Sequence, residues 1–438
     1  MKRIYSTDVM ELEEGEKCKV AGWLQEVKNL GGIAFFKVRD RKGVFQVVLV
    51  KKEIGEEFSE LVDIPRESVV EIEGKIQHTD QTELGYEILP TSVKVDSTAG
   101  KPLPLGVIDK VDADMDTRFD NRFMDLRKEE KMAIFQVRNL LLRGIRDFFH
   151  KEGFIEVNTP KIVAAGAEGG ATLFDVDYYG TDAYLAQSPQ LFKQMLMGAG
   201  LERVYEIAPA YRAEDFDTVR HTSEFISLDF EMSFIESSDD VMDMTSYMIE
   251  HSLKYLLKNG SDLLDKLGAE VRVPEHPIKK ITHHECIEIL EDLGKDWEDE
   301  KKVDTEGEKM LGEYVEENYD SDFFFITEFP THLKKNTFYA MRKDYDPSIT
   351  TYFDLEYKGQ ELVSGGQREH RYDVLIAQMD ELGLDPDDFE SYIKTFKYGM
   401  PPHGGIGLGL DRFVQQLLDL ENIREAILFP RDTSRLSP

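Results

Sequence analysis

The stretch YRAEDFDTVRHTSEF, residues 211–225, spaces Arg212, Arg220 and His221 through acidic neighbours in a chain whose formal net charge is −33. Each arginine can present a planar fork of donors to phosphate oxygens, a geometry that suits Arg better than Lys. Phe225, at the end of the stretch, adds an aromatic plane on which a base can stack. One such arginine alone reads best as a surface ion pair with Glu214 or Asp215; RAED followed by RHTSEF points instead to an anion held in a pocket. A second segment, GGIGLGLDR at 404–412, carries glycines at 405, 407 and 409 that let a backbone approach a flat or charged ligand closely, with Arg412 then opening a helix. By itself a glycine-rich strand is more often a packing solution. It does not fit the dinucleotide fingerprint, because Leu410 stands where a glycine is required, and the chain contains no GxxxxGK[ST] phosphate loop.

Composition bounds what surrounds these residues. A length of 438 residues allows roughly two to four domains, and 41% hydrophobic content supports a sizeable core. The opening MKRIYSTDVMELEEGEK reaches acidic residues before any apolar run, and no stretch approaches the roughly 18 apolar residues of a membrane span, so a cytoplasmic protein is expected. Cys18 and Cys286 match no metal spacing and read as reduced thiols. With 86 acidic against 53 basic residues, the long-range field repels nucleic acid, and a polyanion must be met by local patches. The excess acid reads as a solvated, self-repelling surface, or more sharply as a match to a high-salt cytosol; activity falling steadily with added KCl would exclude the latter.

The elements that position the chemistry follow from punctuation and period. Residues 17–95 read as five short strands with a helical stretch near 51–61 between the third and fourth, the order of a small closed barrel of the OB type. Pro102 and Pro104 mark a linker. From 128 to 151, apolar Met132, Phe135, Leu140, Leu141, Ile145, Phe148 and Phe149 recur mostly at three and four residues, predicting one long helix. Strands then alternate with turns; 239–318 reads as helical and acidic, with THHE at 282–285 offering a capping box. The last third returns to strands, a helix near 383–397 and a glycine-rich strand into a final helix. The fold class expected is α+β: an N-terminal OB-fold barrel (1–104), a linker or hinge (105–127) and a larger domain built on a mainly antiparallel sheet (128–438) with a helical insert near 239–318.

Three segments in order, GFIEVNTP at 153–160, YRAED with RHTSEFISLDFEM at 211–232 and GGIGLGLDR at 404–412, resemble the three motifs of class II aminoacyl-tRNA synthetases of the aspartyl, asparaginyl and lysyl branch. The resemblance runs from the barrel through RFDNRFMDLR at 118–127 to LFPRDTSRL, and is strongest to aspartyl enzymes of the archaeal and eukaryotic kind. It implies an antiparallel-sheet catalytic domain that activates L-aspartate with ATP and transfers it to the 3'-OH of tRNA(Asp), with tRNA(Asn) a second candidate acceptor. It implies that Arg212, Glu361 and Arg412 carry catalysis. ATP would meet Arg212 at the α-phosphate, Glu214 at the adenine end, Arg220 and His221 at the outer phosphates, Phe225 on the adenine and Arg412 near the γ-phosphate. Ala213, Thr222, Gly409, Leu410 and Asp411 would complete that site. Asp354, Glu361 and Ser364 in TYFDLEYKGQELVSGG resemble a Mg2+ site, whose alternative is cross-strand carboxylates facing water. Gln190 and Glu168 would lie near the aspartate ammonium, with Lys193 and Arg368 gripping its side-chain carboxylate and Ser364 alongside. Two buried cations facing a neutral amide would be uncompensated, which would exclude asparagine. AAGAEGGATLF at 164–174 resembles a loop that closes over the amino acid. In the barrel, Phe35 and Gln46 match positions that read the central anticodon uridine, with Lys28 a weaker contact; Phe36 is the better core aromatic. Gln25, Thr82 and Glu83 are candidates for discriminating the two tRNAs. Pro160 in the first motif resembles a dimer-forming element, so a homodimer is implied.

Rival readings are an asparaginyl-tRNA synthetase, an inert RNA-binding paralogue and an amide-forming asparagine synthetase. QSPQLFK and LDFEM favour aspartyl over the first. Joint retention of Arg212, Glu361 and Arg412 disfavours the second, and the barrel disfavours the third.

Overall fold

The computed structural model describes residues 1–108, 113–164, 173–214, 218–297, 301–334 and 337–438, and divides into two compact units, Met1–Asp125 and Leu126–Pro438. The first holds a closed barrel whose strands, Lys17–Asn29, Ile33–Arg39, Val44–Val50, Tyr86–Ser97 and Val69–His78, neighbour one another in that order. Alternation sets the faces: Val20, Leu24, Ala34, Phe36 and Val38 point inward and are fully buried, so Phe35 is turned to the outer surface. Closure leaves no long edge exposed. Short helices between Lys51 and Val62 bridge the third and fourth strands as the sequence suggested. Within 105–127 two further helices form, Met115–Asp120 and Arg122–Asp125, the former capped by Asp114, whose carboxylate accepts from the Thr117 N–H at 2.9 Å.

The second unit is built on an eight-stranded sheet in the order Lys279–Thr282, Phe323–Thr327, Tyr352–Tyr357, Glu361–Arg368, His403–Gly409, Glu224–Ser233, Arg203–Tyr211, Ile155–Glu156. The two outermost pairings are parallel and the rest antiparallel. The long helix Glu129–Lys151 buries Val137, Leu141, Ile145 and Phe149 in the core that contains Leu228, Phe230, Ile406 and Leu408 of the sheet. It crosses the helix Ser238–Leu267 at Gly144, where a Cβ would lie 2.9 Å from the Ser252 Cα, a contact only glycine allows.

Two expectations need correction. The stretch 239–318 is not a wholly helical insert: its first helix buries Ile249, Leu253 and Leu256 in the main core, and Lys279–Thr282 adds an edge strand to the sheet. Four residues with one buried apolar side chain, Ile281, carry too little alternation to show as a strand. The capping box at 282–285 does form, Thr282 Oγ1 accepting from the Glu285 N–H at 3.2 Å and Glu285 from the Thr282 N–H at 2.7 Å. The helix expected near 383–397 is shorter, Glu390–Lys397, and a separate helix, Tyr372–Glu381, precedes it. Gly383, at φ +69°, ends the earlier helix, and the turn Pro386–Phe389 opens the later one.

Candidate active site

The central strands open onto one cavity in the larger unit, and most of the nucleotide-binding residues expected from the sequence line it: Arg212, Glu214, Arg220, His221, Thr222, Phe225, Glu361, Gly409, Asp411 and Arg412. Gln190, Ser364 and Arg368, expected to meet the amino acid, line the same cavity. The register explains the convergence. Strand Glu361–Arg368 pairs with His403–Gly409, which pairs with Glu224–Ser233, so segments some 140 to 180 residues apart in sequence share one sheet face. The glycines of the 404–409 strand divide in purpose. A Cβ at Gly405 would lie 2.0 Å from the Phe230 carbonyl oxygen and 2.3 Å from a Glu231 carboxylate oxygen, which is a packing requirement. Gly407 and Gly409 face the cavity.

The cations differ in how they are held. Arg368, 1% exposed, donates to Glu231 at 3.0 Å, to the Gly405 carbonyl at 2.9 Å and to the Tyr352 hydroxyl. Arg220 stands 3.8 Å from Glu308, and Arg412 donates to the Glu361 carbonyl at 2.7 Å with its carboxylate 3.8 Å away. Arg212 alone among them has no carboxylate partner among the described residues; its guanidinium lies 5.1 Å over the centroid of the Phe225 ring. The ion pair with Glu214 that the sequence allowed does not form. His221, beside Arg412 and Arg212, is lowered from its ordinary pKa chiefly by burial and then by the Arg412 charge.

Several expected residues stand elsewhere. Lys193 is not in the cavity wall. Its ammonium is buried, donating to Asp229 at 3.0 Å and to the Ile406 carbonyl at 2.7 Å, with Glu231 at 3.5 Å. The premise of two uncompensated cations is therefore corrected, since Asp229 and Glu231 already neutralise Lys193 and Arg368. Leu410 is fully buried in the core and Ala213 lies outside the wall, while the Asp411 carboxylate is engaged with Arg138 and with the Ile226 N–H at 2.7 Å. Glu168 and most of the loop 164–174 lie outside the described residues.

Asp354, Glu361 and Ser364 are hard oxygen donors on adjacent strands; Asp354 is paired across from Ser364, whose hydroxyl donates to it at 2.7 Å. Among the described residues no three His, Cys, Asp or Glu side chains form a closed ligand cluster. Two carboxylates and a hydroxyl fit an ion that keeps waters and bridges phosphates, which is the habit of Mg2+. Sequence reasoning missed the carboxylates behind them. Burial and the neighbouring Glu361 charge push Glu308 up to about 7, and burial together with Glu308, Glu361 and Asp354 pushes Glu356 well above the carboxylate range. Glu308 comes from the helix Thr305–Tyr319, inside the stretch 239–318 read as helical and acidic. Its one sequence signal was an acidic residue among many.

On the barrel, Phe36 is in the core and Phe35 is half-buried outside, cross-strand from the exposed Lys28. Gln46 sits across from Lys37 and donates its amide to Glu87 at 2.8 Å. Gln25 lies at a bulge in the first strand with its buried Oε1 unpartnered among the described residues. Thr82 and exposed Glu83 form the turn before Tyr86, Thr82 accepting from the Leu84 N–H at 2.9 Å.

Comparison with known proteins agrees with this geometry. Residues 114–433 match the family of class II tRNA synthetases (D, K and N), and residues 18–96 match the OB-fold nucleic acid binding domain. The chain is 49% identical over 435 residues to an aspartate–tRNA(Asp) ligase of Thermococcus kodakarensis, covering 99% of each. It is 48% identical over 439 residues to an aspartate–tRNA(Asp/Asn) ligase of Methanopyrus kandleri, covering 100% of each. A solved asparaginyl-tRNA synthetase from Pyrococcus horikoshii, complexed with asparaginyl-adenylate, superposes with a TM-score of 0.91 at 31% identity and full coverage of both chains. With an OB barrel, an antiparallel sheet bearing three ordered motifs and a cavity lined by their arginines, the chain belongs to the class II aminoacyl-tRNA synthetases of the aspartyl, lysyl and asparaginyl group.

Proposed function

We propose that this enzyme is an aspartate–tRNA ligase, which joins L-aspartate to ATP as aspartyl-adenylate and passes it to the 3'-OH of tRNA(Asp), with tRNA(Asn) as a further acceptor to be tested. The observation that carries the reading is Arg212, a cavity-lining cation without a carboxylate partner among the described residues where its neighbours have one. An α-phosphate supplies the missing charge. The aspartate α-carboxylate attacks the α-phosphorus, the bond to the β-phosphate oxygen breaks, and pyrophosphate leaves with that electron pair. Arg212 stabilises charge on the phosphate oxygens and Phe225, freed from the guanidinium, receives the adenine. Arg220, His221 and Arg412 hold the outer phosphates. Asp354, Glu361 and Ser364 would hold a Mg2+ ion, which when bound would neutralise phosphate charge. The aspartate ammonium is met by Gln190 and Asp229, the latter lining the cavity, and by Glu168; that draws Asp229 away from Lys193, so that Lys193 and Arg368 share the one carboxylate of Glu231 and together keep a net positive charge for the side-chain carboxylate. In the second step the terminal ribose hydroxyl attacks the activated carbonyl and AMP leaves.

The family resemblance and the barrel support anticodon reading through Phe35, Gln46 and Lys28, with Gln25, Thr82 and Glu83 as candidates for sorting tRNA(Asp) from tRNA(Asn). A homodimer is supported by the first motif, whose Ile155–Glu156 forms the sheet's edge strand and leaves Ile155 exposed. No helix among the described residues is long and apolar enough to cross a membrane, and we place the reaction in the cytoplasm. Aspartate-dependent pyrophosphate exchange tests the proposal: the parent should exchange with aspartate and not asparagine, and Arg212→Ala should abolish exchange while remaining folded. Exchange with asparagine alone, or substantial exchange by folded Arg212→Ala, would overturn it.

A further inference from the structure

Lys334 ends the short turn Thr331–Leu333, and its ammonium donates to both oxygens of Asp354, at 3.1 Å to Oδ1 and 2.7 Å to Oδ2. The same ammonium lies 4.2 Å from the centroid of the Phe329 ring. Since Ser364 also donates to Asp354 Oδ1, at 2.7 Å, two of the three donors assigned to the divalent ion are engaged with each other and with a cation built into the chain. A magnesium ion sits about 2.1 Å from its carboxylate oxygens. An ammonium at hydrogen-bond distance from both of those oxygens occupies the same space and repels a second cation there.

A second hollow adjoins this position, lined by Thr331, Lys334, Thr337, Arg342, Gln378 and Glu381. Gln378 is 3% exposed, and its Nε2 donates to the Phe338 carbonyl at 2.6 Å and the Ala340 carbonyl at 3.1 Å. Those two acceptors fix the amide's orientation. Its Oε1 is buried and has no hydrogen-bond partner among the described residues. A buried acceptor without a donor costs about 1–3 kcal/mol, and Lys334 lines the same hollow as a donor that could relieve it. Arg342 is already neutralised by Glu381 at 2.6 Å and does not oppose an incoming ammonium.

We propose that Lys334 is a positioning residue with two seats: on Asp354 while no divalent ion is bound, and in the adjoining hollow against Gln378 Oε1 once an ion takes Asp354. The inference rests on the assignment of Asp354, Glu361 and Ser364 to the metal–nucleotide site. The exchange needs only the lysine's flexible stem, because its backbone carbonyl is held by the Thr337 hydroxyl at 2.5 Å and N–H at 3.0 Å. Ion affinity is then set by competition: a site open only in the fraction of molecules with the lysine retracted binds more weakly in inverse proportion to that fraction.

Mn2+ titrated into the full chain without nucleotide, followed by electron paramagnetic resonance, tests this. Lys334→Gln should bind Mn2+ at least about tenfold more tightly than the parent, as for a site open in roughly a tenth or less of the parent molecules. Lys334→Arg, which keeps the cation, should not gain affinity. Gln378→Leu, which removes the receiving acceptor, should weaken Mn2+ binding several-fold. Asp354→Asn separates the two levels. If it binds Mn2+ as the parent does, the metal assignment fails and the inference with it; if it loses Mn2+ while Lys334→Gln binds no more tightly, the lysine inference alone is overturned. Should Lys334→Gln not fold, an unchanged Mn2+ affinity in Gln378→Leu overturns the inference.

Discussion

Replacing Arg368 by glutamine should destabilise the larger unit by about 3 kcal/mol, with more of the loss in the fold than an exposed binding residue would give. The magnitude follows from what stays behind. Glu231 is fully buried and its partner's side chain is 1% exposed, so removing the guanidinium leaves a carboxylate with neither water nor its main counter-ion. Breaking a buried pair this way costs about 3–5 kcal/mol. The lower end applies because Lys193 remains 3.5 Å away, although it also serves Asp229 at 3.0 Å. Burial alone would raise the Glu231 carboxyl, yet Arg368 and Lys193 hold it below the usual carboxylate range. In the variant that hold weakens, so Glu231 takes up a proton as pH falls and the gap between parent and variant should narrow from pH 7 to pH 5. Urea unfolding followed by near-UV circular dichroism at both pH values measures this. Arg368→Gln combined with Glu231→Gln should recover about 2 kcal/mol of the single variant's loss. A loss under about 1 kcal/mol in the single variant, or no recovery in the pair, would refute the view that the internal pair is structural as well as functional.

Three further outcomes follow from the same geometry. Burial holds His403 down at about 4 against an ordinary 6.5, so the unfolded chain binds a proton there that the fold refuses; between pH 6.5 and 4 this contribution falls as pH falls, by up to about 3 kcal/mol, and proton uptake on unfolding at pH 5 should drop by about one in His403→Gln. Glu308, raised to about 7, acts in the opposite sense: its protonated form favours the fold as pH falls from 7, so Glu308→Gln should be more stable than the parent at pH 8 in thermal unfolding. In the barrel, Phe36→Ala should cost about 3–5 kcal/mol of stability, whereas Phe35→Ala should leave the barrel folded and weaken tRNA binding by about 1–3 kcal/mol in filter binding.

Much of this enzyme could be read from its chain because the informative signals are local. A two-residue period required Phe35 and Phe36 to face opposite ways, a three-to-four-residue period gave the helix Glu129–Lys151, and Thr282 with Glu285 announced a helix start. The second and third motifs named Arg212, Arg220, His221, Phe225 and Arg412, which line the cavity, because arginines and bare backbone gathered in short segments leave a pattern in residue type. What the sequence could not contain is which charge answers which. Lys193 with Asp229, Arg368 with Glu231 and Arg220 with Glu308 join partners 36, 137 and 88 positions apart, and Lys334 with Asp354 joins a turn to a strand. Those pairs are set by the register of the eight-stranded sheet and by the helices laid against it. In a chain this rich in acid, any cation has many possible counter-ions, and only packing removes the water that makes one of them count.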